Sequence, residues 1–245
     1  MSNVVVVTGG SRGLGLGITN KLAVSGYRVV VVARKVTDQL TAAIKETANS
    51  DRGSVHFLSF DLTEVEKIPS FVQMMRKEFG PIYGLVNNAA VGFDGALALM
   101  ANSRIEQLVR MNTLSPILLT KYVVRSMMAD GGGRIVNVAS IVAFTGYSGL
   151  SVYSGTKASM IGFTRSLARE VGRKNVNVNA VAPGFLETEM TQGLDDEQRQ
   201  QIARRSALRR LPVIEDVANA VEFLLGDKSQ SITGTVLTVD AGNTA

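Results

Sequence analysis

Tyr153 and Lys157 stand four residues apart in the run YSGTK. On a helix that spacing puts them on one face, about one turn from each other. A phenol ordinarily titrates near pH 10, which makes it a poor proton donor or base at neutral pH. An ammonium one turn away favours the phenolate, so the Tyr153 pKa is expected to fall towards working pH. The same spacing is common on plain helix surfaces, so the chemistry depends on what surrounds the pair. The chain has no cysteine, which excludes disulfides and thiolate chemistry. Its single histidine, His56, sits inside the strand-like run SVHFLSF and argues against a histidine metal site or a Ser-His-Asp triad. No metal is expected.

A second constellation lies at the amino end. The run Val4–Val7 leads into Thr8-Gly9-Gly10-Ser11-Arg12-Gly13-Leu14-Gly15 and then into a helical pattern. Glycines at that place permit a tight turn and let backbone N–H groups approach a pyrophosphate at a helix N-terminus. Gly9, Ser11, Arg12, Gly13, Leu14 and Gly15 are therefore the candidate phosphate cradle. The spacing is TGxxxGxG, distinct from GxGxxG. At the end of the next strand an acidic residue would accept an adenosine ribose 2′-hydroxyl. Here the chain reads Ala33-Arg34-Lys35, with no carboxylate until Asp38. Guanidinium pairs with a 2′-phosphate that a carboxylate would repel. Arg34, with Arg12 in reach of the same region, favours NADP(H) over NAD(H).

These residues need elements to hold them. Strand-length apolar runs occur at Val4–Thr8, Arg28–Ala33, Val55–Phe60, Ile82–Val86, Arg134–Ala139, Val176–Ala182 and Thr235–Val239. Helical patterns lie between them at Leu14–Val24, Thr37–Asn49, Val65–Phe79, Ser103–Met128, Val152–Val171 and Ile214–Leu225. Continuous Val/Ile runs suit a sheet buried on both faces, and repeated β-α-β crossovers make it parallel. The expected fold is α/β: a doubly wound, parallel, seven-stranded Rossmann-type sheet flanked by helices. Residues 1–245 read as one domain, with a substrate lid at about 185–210. Ligands of such sheets gather beyond the carboxyl ends of the strands. Those exits read TGGSRGLG, ARK, DLT, NNAA, SIVAFTGYSG and PGFLETEM.

The net charge of +5 and pI near 9.6 permit acidic partners. The basic residues are scattered, however, and the cluster Arg204, Arg205, Arg209 and Arg210 lacks interleaved aromatics. It reads as a solvated helix face, and nucleic acid is not an expected partner. No apolar run approaches a membrane span. A strand pattern beginning at Val4 leaves no room for a signal peptide, so a cytoplasmic protein is expected.

Taken together, TGGSRGLG, NNAA at Asn87–Ala90, Asn112 in MNTLSP, Ser140 ending IVNVAS, YSGTK and PGFLET resemble the short-chain dehydrogenase/reductase family. The resemblance runs over essentially the whole length. It is strongest to the 3-oxoacyl-[acyl-carrier-protein] reductases, through GRIVNVAS, IGFTRSLAREV and NVNAVAPGFLETEM. It implies a catalytic tetrad of Asn112, Ser140, Tyr153 and Lys157. Tyr153 would protonate a carbonyl oxygen as NADPH gives hydride to its carbon, with Ser140 holding that oxygen. Lys157 would bind the nicotinamide ribose and join a water relay anchored by Asn112. Asp61 would contact adenine with Leu62 beside it, while Asn88 and Ala89 would line the cofactor. Pro183, Gly184, Leu186 and Thr188 would hold the nicotinamide end. A homotetramer and an acyl carrier protein partner are also implied.

Two positions depart from the family pattern. Ala90 stands where glycine is usual, and MMADGGGR precedes the fifth strand where such reductases often carry basic residues for the carrier. Arg173 and Lys174 remain as candidate docking residues. On the substrate side, Ser140, Val142, Tyr147, Leu150, Tyr153, Phe185 and Met190 flank the expected site. Phe144 is expected to pack its loop or a subunit interface instead. That lining suits an acyl, alkyl or aromatic ketone better than a free sugar. The leading expectation is NADPH-dependent reduction of a 3-oxoacyl thioester, linked to carrier protein or CoA. A carbonyl reductase or alcohol dehydrogenase for another apolar ketone is the alternative, and a cofactor-binding regulatory protein without catalysis a third.

Overall fold

The computed structural model describes residues 2–48, 52–186 and 196–245. Its strands are β1 (Val4–Thr8), β2 (Arg28–Ala33), β3 (Ser54–Ser59), β4 (Ile82–Asn87), β5 (Gly133–Val138), β6 (Val176–Pro183) and β7 (Val236–Val239). They form one sheet in the order β3-β2-β1-β4-β5-β6-β7, with every pairing parallel. The order reverses between β1 and β4, which opens a crevice at their carboxyl ends.

The valine runs explain the two-sided sheet. Side chains alternate across a strand, so Val4, Val6, Val30 and Val32 enter one core and Val5, Val7, Val29 and Val31 the other. Fully burying a valine is worth about 1.5–3 kcal/mol, so the sheet carries much of the apolar stabilisation. One face is covered by α3 (Ile68–Phe79), α5 (Ser115–Asp130) and α7 (Ser151–Val171), the other by α1 (Gly13–Val24), α2 (Asp38–Thr47) and α9 (Ile214–Leu225). Close packing of α1 on α9 depends on Gly17, where a Cβ would collide with Ile214. Thr37 caps α2 by accepting from the Leu40 N–H at 3.2 Å. Asn49, at the end of the expected second helix, lies outside the described residues.

The expected helix Ser103–Met128 is broken. The chain forms α4 (Asn102–Val109), a π-turn at Arg110–Leu114, and then α5. Pro116 has no N–H to return to the carbonyl of Asn112 four residues earlier, so the α-helical ladder slips by one residue. The short α6 (Val142–Thr145) had no counterpart in the expected helices, while α8 (Asp196–Arg205) forms within the lid segment, which the sequence reads as helix-prone. Among the described residues, no helix is long and apolar enough to cross a membrane.

Candidate active site

At the switch point the exits of β1 and β4 are tied together by one hydroxyl. Thr8 Oγ1 donates to the Val86 carbonyl at 3.2 Å and accepts from the Asn88 and Ala89 N–H groups, both at 3.0 Å. Asn88 returns its amide Nδ2 to the Thr8 carbonyl at 2.9 Å. The glycine loop closes against this strip. Gly9 turns with φ +66°, and a Cβ there would lie 2.9 Å from Ala89 Cα. A Cβ on Gly15 would run into the Gly9 carbonyl oxygen and approach Asn88 Nδ2 at 2.6 Å. Gly15→Ala is therefore expected to cost at least about 2 kcal/mol, a melting-point fall of roughly 4–8 °C. Thermal unfolding checks this, and an unchanged melting point would show that the loop has room to spare.

The first turn of α1 contains no acidic residue, and Arg12 at its N-cap makes no side-chain cap. Gly13 sits at φ +52° with open space where its Cβ would be. Together with the close approach of Gly9, this is a backbone cradle that fits a pyrophosphate. Ser11 is buried, and its carbonyl accepts from Thr37 Oγ1 at 2.6 Å, which fixes the loop to the start of α2. Leu14 is half-buried and packs on the core.

Arg34 is exposed at the end of β2, with its carbonyl held by Ser59 Oγ at 3.0 Å. It lies near enough to influence Asp61. Burial pushes the Asp61 carboxyl up, but two hydrogen bonds from Thr63 at 2.9 and 2.7 Å, and then Arg34, hold it below its ordinary value. Leu62 is buried, and its carbonyl accepts from Ser115 Oγ at 2.6 Å. This edge therefore presents an anionic group at Asp61 and a cationic one at Arg34.

On the other side of the crevice, α7 carries Tyr153 and Lys157. Lys157 is buried, and its Nζ donates to the Val138 carbonyl at the end of β5 at 2.8 Å. It lies 5.7 Å from the centre of the Tyr153 ring. The expected lowering of the phenol pKa is not found. Burial pushes Tyr153 up to about 12 and drives Lys157 down to about 8. Loss of water is the cause at both residues, and it outweighs the neighbouring charge.

Asn112 lies in the π-turn, buried at 3% exposure. Its Oδ1 accepts from the Val91 N–H and its Nδ2 donates to the Val91 carbonyl, each at 2.9 Å. The same Nδ2 reaches Thr156 Oγ1 at 3.2 Å. The side chain is thus a clamp between the strip after β4 and α7. Beneath, Asn87 Nδ2 bonds Thr120 at 2.9 Å and Asn137 at 2.8 Å, and Asn137 bonds Thr164 on α7 at 2.8 Å. Those four polar residues are all buried and fix α7 on β4 and β5.

Ser140 lies two residues beyond the end of β5 and is half-buried, its Oγ accepting weakly from the Val142 N–H at 3.4 Å. Ile141 N–H donates to the Pro183 carbonyl at 3.0 Å, joining the exits of β5 and β6. Gly184 donates to the Val239 carbonyl at 2.9 Å and meets the Asp240 backbone where its Cβ would be. Leu186 is buried in the core, so its side chain does not line an open surface. Val142, Leu150 and Phe185 are half-buried, and Tyr147 is 60% exposed. Phe144 lies with Ala158, Ile161 and Val236 along a groove of about 320 Å³ on the outer flank of α7. Thr188 and Met190 lie outside the described residues. Thr8, Val91 and Thr156 were not among the expected site residues, although Thr8 and Thr156 lie inside the motifs TGG and YSGTK.

Comparison with known proteins agrees with this layout. A family model described as short chain dehydrogenase matches residues 3–199. The 3-oxoacyl-[acyl-carrier-protein] reductase FabG of Escherichia coli (strain K12) is 37% identical over 239 residues, covering 98% of this chain and 96% of its own. The 3-oxoacyl-[acyl-carrier-protein] reductase of Homo sapiens is 39% identical over 243 residues, covering 99% and 98%. A short-chain type dehydrogenase/reductase from Mycobacterium ulcerans superposes with a TM-score of 0.92 at 27% identity, covering 99% of this chain and 91% of that one.

Proposed function

The chain belongs to the short-chain dehydrogenase family, and from that premise we propose that it reduces a 3-oxoacyl thioester to the 3-hydroxyacyl product with NADPH. The observation that carries this reading is the Tyr153–Lys157 face of α7, set against the end of β5 and one crevice away from the glycine cradle. The thioester part is supported by the two 3-oxoacyl-[acyl-carrier-protein] reductases, each above 35% identity over nearly full length.

Gly9, Gly13, Gly15 and the first turn of α1 would hold the pyrophosphate, with Asn88 and Ala89 lining the floor. Asp61 and Leu62 would flank adenine, and Pro183 and Gly184 the nicotinamide end. Bound NADPH supplies the hydride. Tyr153, held up near 12 by burial, is fully protonated at neutral pH and so stands ready as a donor. It transfers its proton as charge grows on the carbonyl oxygen, while Ser140 Oγ–H donates to the same oxygen. The phenolate left behind forms beside the Lys157 ammonium, which lowers the barrier without having lowered the resting pKa. Asn112 would anchor the water relay for reprotonation, as in the family the chain belongs to. A homotetramer and a cytoplasmic setting are part of the same proposal.

A panel of 3-oxoacyl carrier thioesters, CoA esters and simple ketones, each with NADPH and NADH, tests the reading. Turnover of thioesters with NADPH is expected. Rapid reduction of simple ketones with no thioester activity would replace it with a carbonyl reductase. Cofactor choice has its own test. Arg34→Asp would set a carboxylate where a 2′-phosphate should lie, near the already anionic Asp61. The ratio of kcat/KM for NADPH over NADH is expected to fall by at least about a hundredfold, the loss of one charge-assisted pair plus new repulsion. An unchanged ratio would show that Arg34 does not read the phosphate.

A further inference from the structure

Thr156 occupies a position that the tetrad leaves unexplained. It is 4% exposed and sits one residue before Lys157. A hydroxyl has one proton to give. Thr156 gives it to the Tyr153 carbonyl at 2.7 Å, which fixes its lone pairs towards Asn112 Nδ2 at 3.2 Å. Asn112 in turn grips both backbone groups of Val91 at 2.9 Å. A continuous path of hydrogen bonds therefore runs from the strip after β4, through the π-turn, to the backbone of Tyr153. One turn further along α7 a second pin repeats the arrangement. Ser159 Oγ donates to the Thr156 carbonyl at 2.7 Å and lies 3.0 Å from Thr113 Oγ1 in the π-turn.

We propose that Thr156 is a positioning residue that couples the strip after β4 at Val91 to the placement of Tyr153, acting through Asn112. This rests on the reductase reading above for its catalytic consequence, but the linkage itself does not. The physical reason is the asymmetry of buried hydrogen bonds. Without the Thr156 oxygen, the buried Asn112 Nδ2 keeps one partner and loses another, and the amide gains a reason to turn. Turning it would release Val91 and the Tyr153 turn together. Valine is the informative replacement because it keeps the shape of threonine and removes only the hydroxyl. Serine keeps the hydroxyl and removes only a methyl.

The test compares Thr156→Val, Thr156→Ser and the parent by two independent readouts. The first is amide hydrogen exchange at Val91, whose N–H is held by Asn112. It is expected to quicken about tenfold in the valine variant and to stay within threefold of the parent in the serine variant. The second is kinetics with NADPH and its 4-deuterated form. The valine variant is expected to lose about tenfold in kcat with its KM for NADPH within twofold, and to show a larger primary isotope effect. Serine should restore kcat to within threefold. A variant that merely unfolds more easily would lower the melting point without moving the isotope effect. Unchanged Val91 exchange in the valine variant would overturn the coupling, whatever the activity. Quickened exchange with parental kcat would overturn the positioning of Tyr153. Equal losses in the serine and valine variants would reduce Thr156 to packing. A parent chain that reduces no carbonyl would sink the reductase reading instead, and the exchange comparison alone would then decide the linkage.

Discussion

Tyr153→Phe is expected to lower kcat for carbonyl reduction by at least about a thousandfold while leaving the Kd for NADPH within about twofold. The substitution removes one oxygen and keeps the ring, so packing at the start of α7 should persist. What is lost is the proton donor and one of the two donors aimed at the developing oxyanion. The structure sharpens this expectation. A phenol held near 12 does not share its proton with solvent at neutral pH, so no pool of phenolate competes with the protonated form in the reductive direction. Reduction by the parent should therefore show no loss of activity from Tyr153 ionisation anywhere below about pH 10. Steady-state kinetics and a cofactor titration check both parts. Activity within tenfold of the parent would remove Tyr153 from the role of acid, and weakened NADPH binding of the same size as the kcat loss would make it a binding residue.

The sheet was legible because its signal is redundant. Each valine run names a strand, and each strand exit carries a glycine or polar group that an ordinary turn does not need. All seven expected strands formed, β1 and β2 with the expected ends and the other five with ends shifted by one residue. The π-turn was not legible from periodicity, since the apolar pattern of Ser103–Met128 continues through it. Its cause was on view, however. Pro116 lies four residues after Asn112, and a proline in a helix interior has to disturb something. The electrostatics of the pair were read in the wrong direction. Tyr153 and Lys157 do share a face, but sequence spacing carries no information about desolvation. Thr156 was overlooked for a related reason. A threonine in a helix is unremarkable until its neighbours show that its hydroxyl joins two elements.

Lys157→Met is the other substitution from which a large effect follows, and it separates catalysis from stability. Burial drives the Lys157 ammonium from its ordinary 10.5 down to about 8, against which the single bond to the Val138 carbonyl is a weak compensation. The unfolded chain therefore holds more protons than the folded one between about pH 8 and 10.5. Stability then rises with pH through that window, and at pH 7 the buried cation costs the fold on the order of 3 kcal/mol. Methionine keeps the length of the side chain and removes the charge. The variant is expected to be more stable than the parent at pH 7, with the gap narrowing by about 2 kcal/mol, roughly 4–8 °C in melting point, by pH 9.5. Above pH 10 an opposite trend sets in for both proteins, because Tyr27 and Tyr153 stay protonated to about 12 when folded and ionise sooner when unfolded. The comparison therefore belongs below that point. Activity should move the other way, falling at least about a hundredfold, since no ammonium then faces the phenolate that Tyr153 leaves behind. Melting curves of both proteins at pH 7, 8, 9 and 9.5 decide it. A gap that stays flat with pH would mean that Lys157 is not strained by burial. Retained activity would mean that its charge is not what the reaction uses. Gained stability with lost activity would show a cation held in a costly place for the sake of the chemistry beside it.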